Sequence, residues 1–175
     1  MELGSFVRAV PDFPVEGILF RDITPMLQDP AALRESIRAL AALVEGEQID
    51  RVVGMESRGF IFGVPLAMEL GCGFVPLRKP GKLPRKILSR EYALEYGNAT
   101  LEVHAEDIQP GERILIVDDL LATGGTARAA AELVEEAGAT VLAMLFVIEL
   151  IGLDGRGQLG QRRVHSLLPL PAGEE

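Results

Sequence analysis

The chain has 175 residues, of which 48% are hydrophobic and 25% are charged, a composition typical of one globular domain with a sizeable core. Its net charge of −9 argues against general binding to nucleic acid or to an anionic membrane, so any anion site must be built locally. A single cysteine, Cys72, excludes an internal disulfide and a cysteine-cluster metal site. Because neither an export signal nor a membrane-spanning apolar run is evident, we expect a cytoplasmic protein.

The predicted elements alternate between helices and strands along the chain. Asp29 and Pro30 offer an N-cap and a first-turn proline to a helix that ends at Gly46. Pro65 lies within the second helical pattern and predicts a kink or a later start there. In chain order, the pattern predicts a helix at 30–46, a strand at 50–55, a helix at 58–71, strands at 73–79 and 114–119, a helix at 126–138 and a strand at 140–150.

Strands separated by helices imply right-handed crossovers, and therefore an α/β fold with a mainly parallel central sheet flanked by helices. Residues 90–107 break this pattern, because they alternate around Gly97-Asn98 as an antiparallel hairpin does. The basic residues 78–86 before the hairpin are rich in proline and glycine, which predicts a loop. Residues 1–30 and the tail after Leu150 lack a regular pattern, and we expect them to fold together as a small cap over the sheet edge.

The segment "ILIVDDLLATGGTARAA" combines two carboxylates with a turn suited to phosphate. Asp118 and Asp119 end the predicted strand, where ligands of open parallel sheets collect. The residues that open the next helix, with unpaired N–H groups and a positive dipole end, are Thr123, Gly124, Gly125 and Thr126. Paired acids beside an anion site require a ligand that also offers hydroxyls or brings a divalent cation. Ribose 5-phosphate is such a ligand, because it carries hydroxyls as well as a phosphate. The alternative is a capped strand-to-helix turn with solvated acids.

Five ordered blocks resemble one family. "VDDLLATGGT" resembles the phosphoribosyl-pyrophosphate (PRPP) motif of the type I phosphoribosyltransferases, whereas GxxxxGK[ST] and GxGxxG are absent. The blocks that also resemble this family, in the same order, are "FPVEGILFRDITPMLQDP", "GMESRGFIFGVPLA", "LRKPGKLP" and "YALEYGNATLEVHAEDI". The resemblance implies a single domain over 1–175 with the type I phosphoribosyltransferase fold, including a small hood at about 1–30 and a flexible flap hairpin at about 80–106.

The resemblance implies an enzyme that transfers the 5-phosphoribosyl group of PRPP to a purine, with adenine as the expected base, giving AMP and pyrophosphate. Asp118 and Asp119 would hold the ribose hydroxyls and favour the positive charge that develops on the sugar. Residues 122–126 would hold its phosphate. Mg²⁺ is expected to arrive with PRPP and to be bound through PRPP and water, without a direct protein ligand. The family also implies a homodimer.

A basic patch in this acidic chain would supply the partners of pyrophosphate. Its members, from "ESRGF" and "RKPGK", are Ser57, Arg58, Arg78, Lys79 and Lys82. The alternative is a solvated surface loop. The resemblance further implies a strained peptide at the junction of residues 55–57.

The flap and the hood would complete the site. Tyr92, Glu95 and Tyr96 lie in the flap, whose closure would exclude water from the activated sugar. Glu95 resembles the family's flap carboxylate near the purine and is the candidate for proton handling at the base, the alternative being an exposed acid on a hairpin. The residues assigned to adenine are Phe20 and Leu150, which would cover its two faces, and Leu19 and Arg21, whose backbone groups would read its edge. For Phe20 the alternative is ordinary core packing.

Two other functions stay open at this point. One is a phosphoribosyltransferase for a 6-oxopurine, and the other is a PRPP-sensing regulator on the same fold. A DNA-binding regulator would need an added basic domain, which neither the length nor the charge provides. His104 and His165 lack metal-site spacing, and we expect Glu149 to orient the backbone of the cap.

Overall fold

The computed structural model describes residues 1–94 and 96–173, and its strands form one large sheet and two ribbons. The strands are β1 (Arg8–Val10), β2 (Phe20–Asp22), β3 (Arg51–Met55), β4 (Gly73–Leu77), β5 (Ile87–Ala93), β6 (Asn98–His104), β7 (Arg113–Leu121), β8 (Thr140–Ile151) and β9 (Val164–Pro171). The helices are α1 (Thr24–Gln28), α2 (Pro30–Ala42), α3 (Arg58–Leu70), α4 (Gly125–Glu136) and α5 (Gly155–Gln158), with a 3-10 turn at Leu3–Phe6. The central sheet has the order β4-β3-β7-β8-β9 with every pairing parallel, which confirms the predicted α/β architecture.

Apolar side chains fill both faces of this sheet. On β7, Leu115 and Val117 pack on the face covered by α2 and α3, while Ile114 and Ile116 pack on the face covered by α4 and the β5–β6 hairpin. The continuous apolar run of β7 therefore reflects burial on two sides, as is usual for a central parallel strand. Among the described residues, no helix has the length and hydropathy that crossing a membrane requires.

Helix α2 begins as predicted and ends earlier. The Asp29 carboxylate accepts hydrogen bonds from the backbone N–H groups of Ala31 (2.9 Å) and Ala32 (2.8 Å), which satisfies two donors of the first turn. The α-helix ends at Ala42, and residues 43–46 continue as tighter turns. Gly46 then takes a left-handed conformation with φ of 80°, so the glycine ends the turns and not the helix itself.

The two segments that the sequence predicted to be irregular are ordered, so the prediction was wrong for both: residues 1–30 contain the paired strands β1 and β2 and the helix α1. The tail after Leu150 is also ordered. It contains α5 and β9, and β9 extends the central sheet by pairing in parallel with β8. Pro169 and Pro171 interrupt the strand pattern in the sequence, but an edge strand tolerates proline because its outer N–H positions need no partner. The side chain of Arg21 does link β2 to this strand by donating to the carbonyl of Pro171 at 2.7 Å.

Two further element boundaries differ from the prediction. Strand β7 continues to Leu121, where the sequence pattern placed its end at the two acids. Leu120 and Leu121 still pair with Ile148 and Glu149 of β8, so apolar residues resume the strand beyond the acids. Helix α3 begins at Arg58 and contains Pro65 in its interior. The later helix start that Pro65 suggested is therefore not observed.

Helix α3 approaches the sheet closely because two of its residues lack a Cβ. A Cβ at Gly63 would lie 2.5 Å from Cε2 of Phe74 and 3.3 Å from Cγ1 of Val117. A Cβ at Gly59 would lie 3.0 Å from Oδ1 of Asp118. The first turn of α3 therefore lies directly against the carboxyl end of β7.

Replacing Gly63 by Ala should lower the free energy of unfolding by about 1–3 kcal/mol, because the added methyl overpacks the contact with the Phe74 ring. Urea unfolding of both proteins measures the difference. Gly73→Ala is the matched control, since its Cβ would meet only the guanidinium of Arg51 at 3.6 Å, and it should leave stability unchanged or slightly higher. A Gly63→Ala protein as stable as the original would contradict the close packing.

Candidate active site

A cleft of about 400 Å³ opens at the carboxyl ends of β3 and β7. Parallel strands bring these ends to one edge of the sheet, so residues far apart in sequence meet there. The lining consists of Glu56, Arg58, Lys79, Tyr92, Leu94, Ala99 and residues 118–127. The structure thus brings together the predicted acids, the predicted phosphate loop and part of the predicted basic patch.

The phosphate loop presents helix N–H groups to this cleft. Gly124 is the N-cap of α4, with φ of 89°, and it has no side chain that could occupy the free donors of the first turn. These donors and the positive end of the helix dipole favour an anion. Gly125 lies beneath the hairpin, since a Cβ there would be 3.5 Å from the carbonyl oxygen of Ala93 and 3.7 Å from the Tyr92 ring.

The two acids have unlike surroundings. Burial, together with the neighbouring Asp119 carboxylate, raises the pKa of Asp118 well above its usual value. The backbone N–H of Asp119 donates to Oδ1 of Asp118 at 2.9 Å. Asp119 is 6% exposed, and its carboxylate forms an ion pair with Nε of Arg58. A cation that approaches this pair would therefore favour the ionised form of Asp118.

The side chains of three predicted pyrophosphate cations, Arg58, Arg78 and Lys82, are held by two carboxylates. Glu56 accepts hydrogen bonds from Nζ of Lys82, from the backbone N–H of Lys79 at 2.9 Å and from Nε of Arg78 at 3.2 Å. The Lys82 hydrogen bond is the main cause that lowers the pKa of Glu56 to about 2. Arg58 is paired with Asp119. Glu56 was not among the predicted site residues, although it directly precedes the "SRGF" of the basic patch.

The residues near this carboxylate hold the start of α3. Ser57 is the exposed N-cap residue of α3, and the peptide bond between Glu56 and Ser57 is cis. Arg78 and Glu102 exchange two backbone hydrogen bonds of 2.8 Å, which ties the end of β4 to β6. The basic patch and the hairpin are therefore parts of one continuous framework.

The β5–β6 hairpin packs on α4, beside the phosphate loop. Its Arg90 forms an ion pair with Glu136 of α4 at 2.8 Å. Tyr92 lines the cleft, whereas Tyr96 is 87% exposed. Glu95 lies outside the described residues, so its assignment as the proton-handling carboxylate stays a prediction.

The residues predicted to bind adenine lie outside this cleft. Leu19 and Arg21 line a separate cavity of about 470 Å³ together with Leu170 of β9. Leu150 pairs in register with Leu170, so it lies in the strand next to this cavity. Phe20 is half-buried, and its ring packs edge-on against Phe13 with centroids 5.1 Å apart. The structure gathers these four residues near β2 and β9 without bringing them against the acids.

Glu149 and the histidines have other partners. Glu149 forms a bidentate ion pair with Arg156 and accepts from Oγ of Ser166 at 2.7 Å, so the prediction that it orients cap backbone was wrong. The sequence pattern gave no sign of Arg156, because its segment looked irregular. His104 lies 3.0 Å from an Asp107 carboxylate oxygen, at the end of the hairpin away from its tip.

Comparisons with known proteins agree with this geometry. The family model described as "Phosphoribosyl transferase domain" matches residues 23–158. The adenine phosphoribosyltransferase of Methylococcus capsulatus is 61% identical to the chain, covering 95% of this chain and 98% of that protein. The crystal structure of adenine phosphoribosyltransferase from Thermoanaerobacter pseudethanolicus superposes with a TM-score of 0.94 at 51% identity, covering 97% of this chain and 98% of that one.

A second solved structure carries ligands. The adenine phosphoribosyltransferase of Saccharomyces cerevisiae, complexed with an imino-altritol bisphosphate and adenine, superposes with a TM-score of 0.91 at 44% identity, covering 95% of this chain and 97% of that one. Both the fold and the sequence are therefore shared over nearly the whole length of the chain. The chain belongs to the type I phosphoribosyltransferase family, within the group of adenine phosphoribosyltransferases.

Proposed function

We propose that this chain transfers the 5-phosphoribosyl group of PRPP to adenine, giving AMP and pyrophosphate, as a purine salvage enzyme. The observation that carries the proposal is the placement of Asp118 and Asp119 beside the glycine-capped N-terminus of α4 in one cleft. Such a cleft suits a molecule that carries both a phosphate and hydroxyls. Relatives of up to 61% identity that bear the adenine phosphoribosyltransferase name support adenine as the base.

The phosphate loop would hold the 5-phosphate of PRPP. The groups available to it are the backbone N–H groups and hydroxyls of Ala122, Thr123, Gly124, Gly125 and Thr126, all of which line the cleft. Because the helix dipole and these donors are fixed before the ligand binds, little reorganisation is needed. This contact lies far from the anomeric carbon, so it serves binding and orientation.

The two acids would act at the ribose. As pyrophosphate leaves, positive charge grows on the sugar, and nearby carboxylates stabilise that charge in a partly buried site. Burial raises the pKa of Asp118, and positive charge growing beside it favours its ionised form. Asp119 is paired with Arg58 in the unliganded site. The acids therefore favour the transition state over the bound substrate.

Arg58, Arg78, Lys79 and Lys82 would bind pyrophosphate. The side chains of Arg58, Arg78 and Lys82 would exchange the Asp119 and Glu56 carboxylates for pyrophosphate oxygens when PRPP binds. In the described part of the chain, no three His, Cys, Asp or Glu side chains converge to hold a metal. A Mg²⁺ ion that arrives with PRPP would take most of its ligands from PRPP and water beside the cleft carboxylates, and it would neutralise charge on the departing group.

The base and its proton are assigned to the hood and the flap. Phe20 and Leu150 would cover the faces of adenine, while backbone groups of Leu19 and Arg21 would read its edge. Glu95 would handle the proton at the base after the flap closes. The adenine held by the yeast relative supports a base site in this family.

The free thiol of Cys72 is in keeping with the cytoplasm as the expected compartment.

We also propose that two copies of the chain associate through α3. Ile61, Val64 and Met68 lie along one side of this helix and are 39%, 43% and 76% exposed. Beside them, a groove of about 510 Å³ carries Arg34 on α2 and Glu69 on α3. A two-fold axis would pair such opposite charges reciprocally around the apolar stripe.

The function is tested by measuring pyrophosphate release with PRPP, Mg²⁺ and one purine base at a time. We expect release with adenine, because backbone groups of fixed polarity separate an amino from an oxo substituent. Release only with hypoxanthine, guanine or xanthine would replace adenine by an oxopurine as the substrate. PRPP binding without release for any base would indicate a sensor in place of an enzyme.

The role of the acids is tested by Asp118→Asn and Asp119→Asn. Each substitution should lower kcat by about 10²-fold or more, because a neutral amide stabilises the developing charge poorly. Steady-state kinetics and thermal unfolding separate chemistry from stability. Asp50→Asn is the control: its carboxylate accepts from the Arg113 backbone at 2.7 Å at the opposite end of the sheet, so kinetics should not change. Full activity in both cleft variants would contradict the assignment.

The dimer surface is tested by Val64→Asp, which places a charge in the apolar stripe of α3. Sedimentation velocity should show the native chain as a dimer and the variant as a monomer, since burying an unpaired carboxylate is unfavourable. Val15→Asp is the control, because Val15 is also exposed, at 61%, but lies in the loop between β1 and β2. A variant that stays dimeric would exclude this surface.

A further inference from the structure

The phosphate loop touches a second backbone segment on the side away from its ligand donors. A Cβ at Gly124 would lie 2.5 Å from the carbonyl oxygen of Gly155 and 3.0 Å from Cβ of Gln158. A Cβ at Gly155 would collide with the carbonyl oxygen of Ala122 and lie 2.9 Å from Cγ of Leu121. The two backbones therefore pass with no room for a side chain on either glycine. Any movement of residues 154–158 must be transmitted to the phosphate loop.

One arginine fixes this segment to the sheet. Arg156 donates from Nε and one terminal nitrogen to the two carboxylate oxygens of Glu149, at 2.7 and 2.8 Å. Its other terminal nitrogen donates to the carbonyl of Val164 at 2.7 Å. Glu149 is 8% exposed and also accepts from Oγ of Ser166 at 2.7 Å. All three guanidinium nitrogens thus hold the segment to β8 and β9.

We propose that Arg156 is a positioning residue, which through Glu149 and Gly155 holds the phosphate loop in the conformation that binds the 5-phosphate of PRPP. This inference rests on the proposed function for the identity of the phosphate ligand. Arg156 itself does not line the cleft, and it acts through the backbone contact between residues 154–158 and 122–124.

This arrangement predicts a particular kinetic signature. The 5-phosphate is remote from the bond that breaks, so an interaction with it contributes similarly to the bound substrate and to the transition state. Displacing the loop should therefore raise KM for PRPP while kcat and KM for adenine change little. A general loss of structure would instead lower the active fraction and leave every KM unchanged.

The segment should stay folded when the arginine contact is lost. Leu159, which follows α5, is fully buried in the core on the α4 side of the sheet. Gln158 also accepts a hydrogen bond from Arg128 of α4 at 3.1 Å. These contacts leave the segment attached while its angle against the phosphate loop changes.

The chain provides a matched control for Arg156. Arg162 forms an equivalent bidentate pair with Glu135 of α4, at 2.9 and 2.8 Å, and also donates to the carbonyl of Leu159. It lies near the same segment, but its carboxylate partner belongs to α4 and not to the sheet. Replacing Arg162 therefore removes hydrogen bonds comparable to those of Arg156, but it leaves residues 154–158 attached to β8 and β9.

The test compares Arg156→Met with Arg162→Met, both of which keep an aliphatic stem. For Arg156→Met we expect KM for PRPP to rise on the order of tenfold or more, with kcat within a factor of about two. Arg162→Met should show the kinetics of the unaltered chain. An unchanged KM for PRPP in Arg156→Met, or an equal rise in Arg162→Met, would overturn the proposal.

A binding measurement separates this inference from the proposed function. Titration calorimetry with ribose 5-phosphate needs no turnover, and the Kd should rise in Arg156→Met and not in Arg162→Met. Gly155→Ala displaces the loop directly and should raise the same Kd if Arg156→Met proves too unstable to purify; an unchanged Kd there would overturn the proposal. A chain that binds ribose 5-phosphate but releases no pyrophosphate with any base would contradict the proposed function and leave the positioning role standing.

Discussion

The rest of the site depends on the pairing of carboxylates with cations at one end of the sheet. Asp119 and Glu56 are both poorly exposed, and a carboxylate that loses hydration by burial needs a partner that compensates for the loss. Arg58 supplies that partner to Asp119, while Lys82 and Arg78 supply it to Glu56. Without these pairs the acids of a chain with a net charge of −9 would repel both one another and any phosphate. The pairing therefore allows an anion site to exist beside acids.

Close packing of the backbone brings these charges together. Because Gly59 lacks a Cβ, the first turn of α3 can lie against Asp118, and this places Arg58 beside Asp119. On the other side, Gly124 and Gly155 let two loops touch. Strand β7, buried on both faces, holds the acids between these contacts. The site is thus positioned by glycines at close approaches as much as by the charged residues themselves.

The sequence predicted what local periodicity encodes, namely the long helices α2, α3 and α4, the parallel strands β3, β4, β7 and β8, and the loop that follows the acids. It failed for β9, whose prolines are tolerated only because the strand lies at the sheet edge, a property of topology. The roles of Glu56 and Arg156 were also not predicted. Glu56 has a partner 26 residues away and Arg156 one 8 residues away, and such contacts produce no periodic pattern in the sequence. Whether Phe20 lies near Asp118 and Asp119 depends on how the hood, residues 1–30, packs against the central sheet. No local sequence pattern specifies that packing.

The ion pairs of the site divide into exchangeable and permanent ones. Arg58 and Lys82 each contact a carboxylate through one nitrogen, with side chains 53% and 45% exposed, so water or a ligand oxygen can replace that contact at small cost. Arg156 uses three nitrogens on two strands, and the fork geometry makes partial replacement unfavourable. A site that must accept pyrophosphate while keeping its phosphate loop rigid needs both kinds. The number of contacts per cation, more than its burial, therefore distinguishes the cations proposed to bind pyrophosphate from the arginine that holds the frame.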